Sequence, residues 1–268
     1  MSILTLGPAG TYSHRVSLSF SDDIEFRNSV TAIVKDVSDG TFDKGIIPVE
    51  NSIEGSVTES LSSLVVHEVA VLEEVVAPIK HALLAQSTTF DTITSHPQAL
   101  AQCRNFITSN YPALKLEPAT STASAIDRAT ENASIAAIGH PESSNEKLKI
   151  LAKNIQDQSP NSTRFFAIAP LQKRQESGEK TSVIIYPQSD YSGLLLKILQ
   201  TFADQNINLT RIESRPSGNK LGDYLFHIDF EASSDESRTS EVFSNLQSIV
   251  SKNGWVRSLG SYNVTHLS

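Results

Sequence analysis

The segment Gly45-Ile46-Ile47-Pro48-Val49-Glu50-Asn51-Ser52-Ile53-Glu54-Gly55-Ser56-Val57 changes character in its middle. It begins with a short apolar run typical of a buried strand, and Pro48, which lacks an N–H donor, is expected near the end or the edge of that strand. Polar residues and a glycine follow, and then apolar residues recur at helical spacing, at Val57, Leu61, Leu64 and Val65. The segment therefore predicts a strand, a polar turn and a helix start that favours a bound anion. A plain βα turn with a serine cap is the alternative.

Two other segments repeat this pattern of strand, turn and helix. A strand at residues 3–6 runs into Gly7-Pro8-Ala9-Gly10-Thr11-Tyr12-Ser13-His14, where Thr11 or Ser13 is a candidate helix cap. A strand at residues 92–95 runs into Ser95-His96-Pro97-Gln98-Ala99-Leu100-Ala101-Gln102-Cys103, in which Pro97 suits the first helical turn. The glycine turn has no Lys and is too short for a phosphate-binding loop, so nucleotide binding is not predicted.

The order of the predicted elements indicates two structural parts. Strands alternate with helices through about residue 170, which predicts an α/β fold with parallel strands. Ligands bind beyond the carboxyl ends of the strands in such sheets, and all three turns are expected there. Residues 171–180 are charged and contain a glycine, so they are predicted to be a linker. Residues 181–268 follow the order βαββαβ, which is the ferredoxin-like split unit.

Composition limits the function classes. The chain has 268 residues, 39% of them hydrophobic and 19% charged, with a formal net charge of -8 and no basic run, so nucleic acid is not an expected partner. No apolar span is long enough to cross a membrane, and the first residues do not resemble a signal peptide. The single cysteine, Cys103, lies on an apolar helical stripe, so a buried structural thiol and a reducing compartment, the cytoplasm, are expected.

Four segments resemble motifs of the prephenate dehydratase family, and they occur in that family's order. They are residues 7–14, 48–57 and 95–103, and the segment Asn161-Ser162-Thr163-Arg164-Phe165. The C-terminal part resembles an ACT domain. The resemblance implies a catalytic domain at 1–170 with two lobes like those of type II periplasmic-binding proteins (about 1–76 plus 163–170, and about 77–162) and an ACT regulatory domain at 181–268. It also implies a cleft site between the lobes and a homodimer or homotetramer.

Members of this family convert prephenate into phenylpyruvate, water and carbon dioxide in phenylalanine biosynthesis. Loss of the ring carboxylate supplies electrons, loss of hydroxide accepts them, and aromatisation drives the reaction, so no cofactor is expected. No His, Cys, Asp and Glu group has metal-ligand spacing, so no metal is expected either. The site must instead supply donors for two carboxylates and a proton for the departing hydroxide. Arogenate dehydration and a non-catalytic amino-acid sensor are the alternatives, and the absence of an appended chorismate mutase-like helix predicts a monofunctional chain.

The resemblance assigns roles to individual residues. Thr163 is expected at the leaving hydroxyl, either giving its proton in concert or only hydrogen-bonding the departing oxygen. Arg164 is the expected partner of a substrate carboxylate, because a guanidinium pairs bidentately with it; an internal ion pair is the alternative. Independently of the resemblance, His81 has no ligand-like companion in the sequence and is expected to be structural. The expected donors to substrate are Asn51, Ser95 and Gln102, and the other substrate-binding candidates are Gly10, Thr11, Ser13, His14, Glu50, Ser52, Gly55 and Phe165.

Asn208-Leu209-Thr210-Arg211-Ile212-Glu213-Ser214-Arg215-Pro216 resembles the family's phenylalanine-binding segment, which implies feedback inhibition by L-phenylalanine. Leu194 stands where the family usually has Ala, so a narrower effector pocket is expected. A domain that serves only in dimerisation is the alternative. The effector candidates are Gly193, Leu194, Leu195, Asn208, Glu213, Ser214, Arg215 and Pro216.

Overall fold

The computed structural model describes residues 2–218, 222–250 and 252–268. Up to residue 78 the elements are β1 (Ile3–Leu6), α1 (Tyr12–Leu18), β2 (Ile24–Arg27), α2 (Val30–Ser38), β3 (Gly45–Asn51), β4 (Gly55–Ser56), α3 (Thr58–Val66) and β5 (Val69–Pro78). The next are β6 (Ala82–Ala85), β7 (Thr92–Ser95), α4 (Pro97–Gln102), α5 (Arg104–Asn110), β8 (Lys115–Pro118), α6 (Thr122–Glu131), β9 (Ile135–Gly139) and β10 (Lys149–Lys153). The chain continues with β11 (Ser162–Pro170), β12 (Lys180–Tyr186), α7 (Leu194–Ala203), β13 (Leu209–Pro216), β14 (Tyr224–Phe230), α8 (Ser237–Ile249) and β15 (Trp255–His266).

One long sheet connects the first lobe to the C-terminal domain. Its strand order is β13-β14-β12-β15-β5-β11-β3-β1-β2, with β4 paired to β3. The last strand belongs to both parts, because β15 pairs with β12 and then, from Asn263 to His266, runs parallel to Glu73–Val76 of β5. The antiparallel strand β11 lies between β3 and β5 in the middle of this sheet. In this sheet β5 alone separates β11 from β15, the last strand of the C-terminal domain.

The second lobe has its own sheet, with the order β10-β6-β9-β7-β8. Strand β7 pairs in parallel with both β8 and β9. Strand β6 pairs antiparallel with β9 on one side and with β10 on the other. The predicted α/β architecture of two lobes followed by a βαββαβ domain is confirmed, although both sheets are mixed rather than parallel throughout. The predicted domain limits at residues 170 and 181, and the lobe limits, stay predictions.

Local hydrogen bonds determine where the shorter elements begin and end. The second strand ends at Arg27, and Val30 begins α2 because the Ser29 hydroxyl accepts a hydrogen bond from the Ala32 N–H and so caps the helix. A short 3-10 turn, Pro141–Ser143, follows β9. Cys103 is buried in the core of the second lobe, as predicted, and its burial raises the pKa of the thiol to about 12. Across the described ranges, no helix has the length and apolar character needed to span a membrane.

Candidate active site

A cavity of about 290 Å³ lies between the two lobes. The caps of three helices line it: Thr11 for α1, His96 for α4 and Ser121 for α6. Within the described part of the chain, the lining contains no Asp, Glu, Lys or Arg. The cavity therefore offers neutral hydrogen-bond groups and positive helix ends rather than charged side chains. The lining residues are Leu6, Gly7, Thr11, Tyr12, Ser13, Pro48, Asn51, Ile79, His81, His96, Gln98, Ala99, Gln102, Thr120, Ser121, Thr122, Thr163 and Phe165.

Thr163 on β11 faces Asn51 on β3, and both line the cavity. The oxygen of the Asn51 amide accepts hydrogen bonds from the backbone N–H groups of Ile53 and Glu54, at 3.0 and 3.1 Å. Its Nδ2 group therefore points the other way and donates to Thr163 Oγ1 at 3.0 Å. Because Thr163 Oγ1 accepts this bond, the hydroxyl proton of Thr163 is left to donate into the cavity.

Two further amides continue this arrangement. Asn51 Nδ2 also lies 2.9 Å from Asn161 Oδ1, and Asn161 Nδ2 donates to Gln102 Oε1 at 3.2 Å. The sequence-predicted residues Asn51, Gln102 and Thr163 thus meet in one network at the cavity wall. Thr11, Ser13 and Phe165 also reach the cavity.

Several predicted site residues do not line the cavity. Ser95 is fully buried, and its hydroxyl donates to the Ile138 carbonyl of the neighbouring strand at 2.6 Å, so it is not available to substrate. His14 accepts from the Gly10 N–H at 3.0 Å, and burial and Arg15 lower the pKa of its ring. Ser52 accepts from the backbone N–H of the residue before Thr163, at 3.0 Å.

The helix start in the segment 45–57 is also not part of the cavity. Gly55 has a φ of +82°, which permits the turn, and α3 then begins at Thr58 without the serine side-chain cap that the alternative, a plain βα turn, would have. The residues from Ser52 to Thr58 do not line the cavity. The expectation that this helix N-terminus binds the anion is therefore wrong, and the segment reaches the cavity through Pro48 and Asn51.

Arg164 lies on the opposite face of β11 from Thr163. Successive side chains of a strand alternate between faces, so adjacent residues cannot both point into one cavity. Its guanidinium contacts Glu50 at 2.6 Å, Glu74 at 2.5 Å and Asp229 at 2.9 Å. Burial alone would lower the pKa of Arg164, but Asp229 and Glu74 raise it above the usual arginine value. The expectation that Arg164 binds a substrate carboxylate is therefore corrected, and the internal ion pair is what the structure contains.

These carboxylates connect the first lobe to the C-terminal domain. Lys180 donates to Glu74 at 2.9 Å, and the Ser182 hydroxyl donates to Asp229 at 2.6 Å. A second connection runs from Arg211 to Ser56 at 2.7 Å and from Ser56 to Glu213 at 2.9 Å. We refer to Glu50, Glu74, Arg164, Lys180 and Asp229 as the interdomain ion cluster. It lies directly behind the Thr163–Asn51 pair, because the register places Arg164 opposite Glu50 on the same two strands.

The effector candidates lie at two places in the C-terminal domain. Gly193, with a φ of +91°, caps α7, and the following Leu194 is packed into the core of this domain while Leu195 is exposed. Asn208 donates to Glu231 at 2.9 Å, and Glu213 faces the first lobe through Ser56. Ser214 and Pro216 are exposed and Arg215 is partly exposed on β13, an edge strand of the long sheet.

Sequence reasoning missed several residues that line the cavity. The run Thr120-Ser121-Thr122 follows β8 and caps α6, where the Ser121 hydroxyl accepts from the Ser124 N–H at 3.0 Å. A hydroxyl cap between a strand and a helix is the same signal that identified the other turns, so this turn could have been predicted from the sequence. His81 and Tyr12 carry no comparable signal, because their partners are distant in the sequence.

The fold defines a class of protein: a two-lobed α/β domain with a binding cavity between its lobes, followed by a βαββαβ domain of the ACT type. A family model of prephenate dehydratase matches residues 3–173, and a model of the ACT domain matches residues 189–247. This chain belongs to the prephenate dehydratase family.

Known relatives resemble the chain over nearly its full length. The prephenate dehydratase of Methanocaldococcus jannaschii is 37% identical over 268 residues, which cover 96% of each chain. That of Lactococcus lactis subsp. lactis is 34% identical over 100% of this chain and 99% of the relative. The crystal structure of prephenate dehydratase from Arthrobacter aurescens in complex with L-Phe has a TM-score of 0.86 and 30% identity, covering 98% of this chain and 90% of that one.

Proposed function

We propose that this protein converts prephenate into phenylpyruvate, with release of water and carbon dioxide. One observation carries the proposal: Asn51 donates to Thr163 Oγ1, which leaves the Thr163 proton free to donate into an interlobe cavity of about 290 Å³. Membership of the prephenate dehydratase family supports the same reaction.

The reaction needs little more than donors in the right places. The bond between the ring and its carboxylate breaks, its electron pair completes the aromatic ring, and the C–O bond opposite releases hydroxide. Thr163 stabilises the negative charge that develops on the departing oxygen by donating a hydrogen bond to it. The hydroxide takes up one proton and leaves as water, and any proton that Thr163 gives is replaced from solvent.

Neutral groups are well suited to hold the dianionic substrate here. The caps of α1, α4 and α6 line the cavity and bring the positive helix ends toward it, and Ser13 and Thr122 line it as well. Arogenate differs from prephenate by an ammonium group, which calls for an anionic partner. The lack of Asp and Glu in the lining, within the described residues, therefore favours prephenate.

We extend the proposal to regulation and assembly. The Arthrobacter aurescens relative was solved with L-Phe and matches 98% of this chain, which carries an ACT domain, so L-phenylalanine is the proposed inhibitor. The interdomain ion cluster supplies a physical connection, because Arg164 and Glu50 lie on the strands that carry Thr163 and Asn51. The exposed edge strand β13 offers a pairing surface for a homodimer or homotetramer, and the cytoplasm is the proposed compartment, in which Cys103 stays reduced.

The test supplies prephenate or arogenate to the purified protein and identifies the products. Phenylpyruvate is read by its absorbance in alkali, and phenylalanine from arogenate by chromatography. We expect phenylpyruvate to form with a much higher kcat/KM than phenylalanine, and L-phenylalanine to slow its formation. Folded protein that releases neither product overturns the proposed function, and a preference for arogenate overturns the substrate assignment. Light scattering with and without L-phenylalanine measures the molar mass of the protein in solution and so tests the assembly. We expect a homodimer or homotetramer, and a monomer in both conditions would contradict this part of the proposal.

A further inference from the structure

A buried histidine stands behind Gln102 in the wall of the cavity. His81 is 2% exposed, and its Nε2 lies 3.0 Å from Gln102 Oε1. Its other ring nitrogen, Nδ1, is buried without a hydrogen-bond partner among the residues that the structure describes. His81 thus contacts a residue that lines the cavity, although it has no ligand-like companion among the described residues.

The direction of the hydrogen bond between His81 and Gln102 follows from the backbone of the turn after β3. Two N–H groups of that turn donate to Asn51 Oδ1, which fixes its amide, because only the oxygen can accept. Asn51 Nδ2 then meets Asn161 Oδ1, so Asn161 presents its Nδ2 to Gln102 Oε1. Because an amide oxygen thus faces the ring, His81 must donate and must carry its proton on Nε2.

This arrangement also fixes the other half of the Gln102 side chain. Its oxygen accepts from His81 at 3.0 Å and from Asn161 at 3.2 Å, which uses both of its lone pairs. The NH2 group of Gln102 is left to donate to a molecule in the cavity that Gln102 lines. If the amide turned over, it would present a lone pair to an anionic substrate, which is unfavourable.

We propose that His81 is a positioning residue, which as the neutral Nε2–H tautomer holds the Gln102 amide with its NH2 group toward the substrate. The inference rests on the proposed function, since it assumes that an anionic substrate occupies the cavity. A charged ring is disfavoured, because protonation would place an N–H on the unpartnered Nδ1. Consistent with this, burial lowers the pKa of His81, and the hydrogen bond with Gln102 only partly offsets it.

The kinetic test compares His81→Leu and His81→Gln in two backgrounds, the natural chain and Gln102→Leu. In the natural background we expect His81→Leu to lower kcat/KM roughly tenfold, the equivalent of one oriented hydrogen bond. His81→Gln keeps a donor and is expected to recover most of that loss. In the Gln102→Leu background, His81→Leu should change kcat/KM less than about twofold, because the amide that His81 is proposed to hold is no longer present. Equal losses in both backgrounds, or no loss in the natural one, overturn the proposal.

A second readout does not depend on turnover. Nitrogen-15 NMR of the wild-type imidazoles, with His81 assigned by its loss in His81→Gln, distinguishes the two tautomers and the charged form. We expect a protonated Nε2 and a bare Nδ1 at neutral pH, and the Nδ1–H tautomer or a charged ring would overturn the proposal. Failure of the wild type to convert prephenate would instead count against the proposed function and leave the tautomer result standing.

Discussion

Replacement of Arg164 by methionine is expected to destabilise the protein and to change how its stability depends on pH. Arg164 is the shared partner of Glu50, Glu74 and Asp229, and the last two carboxylates are 1% and 3% exposed. Removing one partner from a buried ion pair costs about 3–5 kcal/mol, because a buried charge is left without compensation. Here Lys180 still pairs with Glu74 and Ser182 still donates to Asp229, so we expect about 3 kcal/mol.

The pH dependence identifies the cause of the loss. In the natural chain burial raises the pKa of Asp229, but Arg164 and Arg211 more than offset this and hold it below 3.8. Asp229 therefore contributes stability that is present above about pH 4 and is lost as the pH falls below it. Without Arg164, we expect burial to outweigh the remaining effects of Arg211 and Ser182, so that the pKa of Asp229 rises above its unfolded value. The folded variant then binds a proton more tightly than the unfolded chain and gains stability as the pH falls from 7 toward 4.

Urea denaturation followed by circular dichroism at pH 7 and pH 5 measures both effects. We expect the stability deficit of Arg164→Met to be smaller at pH 5 than at pH 7. Arg238→Met is the matched control, because its pair with Glu236 is well exposed and is expected to contribute at most about 1 kcal/mol. A deficit as small as that of the control, or one that does not change with pH, would refute the buried-cluster reasoning.

Three other substitutions test separate contacts. Tyr12→Phe removes a hydroxyl that donates to the Lys80 carbonyl at 2.7 Å and accepts from the Lys80 N–H at 3.1 Å. Urea denaturation should show a loss of about 1–2 kcal/mol in the free energy of unfolding, and an unchanged midpoint would mean that this contact is dispensable. Leu194→Ala truncates a core residue and should lower the free energy of unfolding by about 2–5 kcal/mol in the same assay. If Leu194 narrows the effector pocket, calorimetry should show that the variant binds L-phenylalanine more tightly than the natural chain does. Equal affinities would remove that expectation. Gly260 has a φ of +105°, at which a side chain is strained, and a Cβ added there would lie 2.8 Å from the Arg174 side chain. Gly260→Ala should therefore lower the free energy of unfolding by about 1–3 kcal/mol, and full stability would contradict this strain.

The α/β class of the first 170 residues and the βαββαβ order of the remainder could be predicted because their signals are local, whereas the division into two lobes was implied only by the family resemblance. Strand, turn and helix follow one another in the first 170 residues with clear apolar periods, and the βαββαβ order of the remainder has one common solution. The mixed character of the sheets was not predicted. The strand β11 returns to the first lobe from the second, and nothing in its own residues specifies its antiparallel position between β3 and β5.

The site was predicted only in part, for reasons that particular residues make clear. Arg164 was misassigned although the alternation of a strand already separates it from Thr163. Ser95 was misassigned because the preference of its hydroxyl for the Ile138 carbonyl depends on a neighbouring strand more than 40 residues away. His81 and Gln102 meet only in the folded chain, so no spacing in the sequence could have paired them.

The central claim is that the Thr163 hydroxyl donates to the departing oxygen of prephenate, and Thr163→Val tests it most directly. Valine keeps the branched shape of threonine and removes only the hydroxyl, while Thr163→Ser restores it. We expect kcat for phenylpyruvate formation to fall roughly 10²–10⁴-fold in Thr163→Val with the fold intact, and to recover largely in Thr163→Ser. A folded Thr163→Val protein that retains more than about a tenth of the natural kcat would contradict the account.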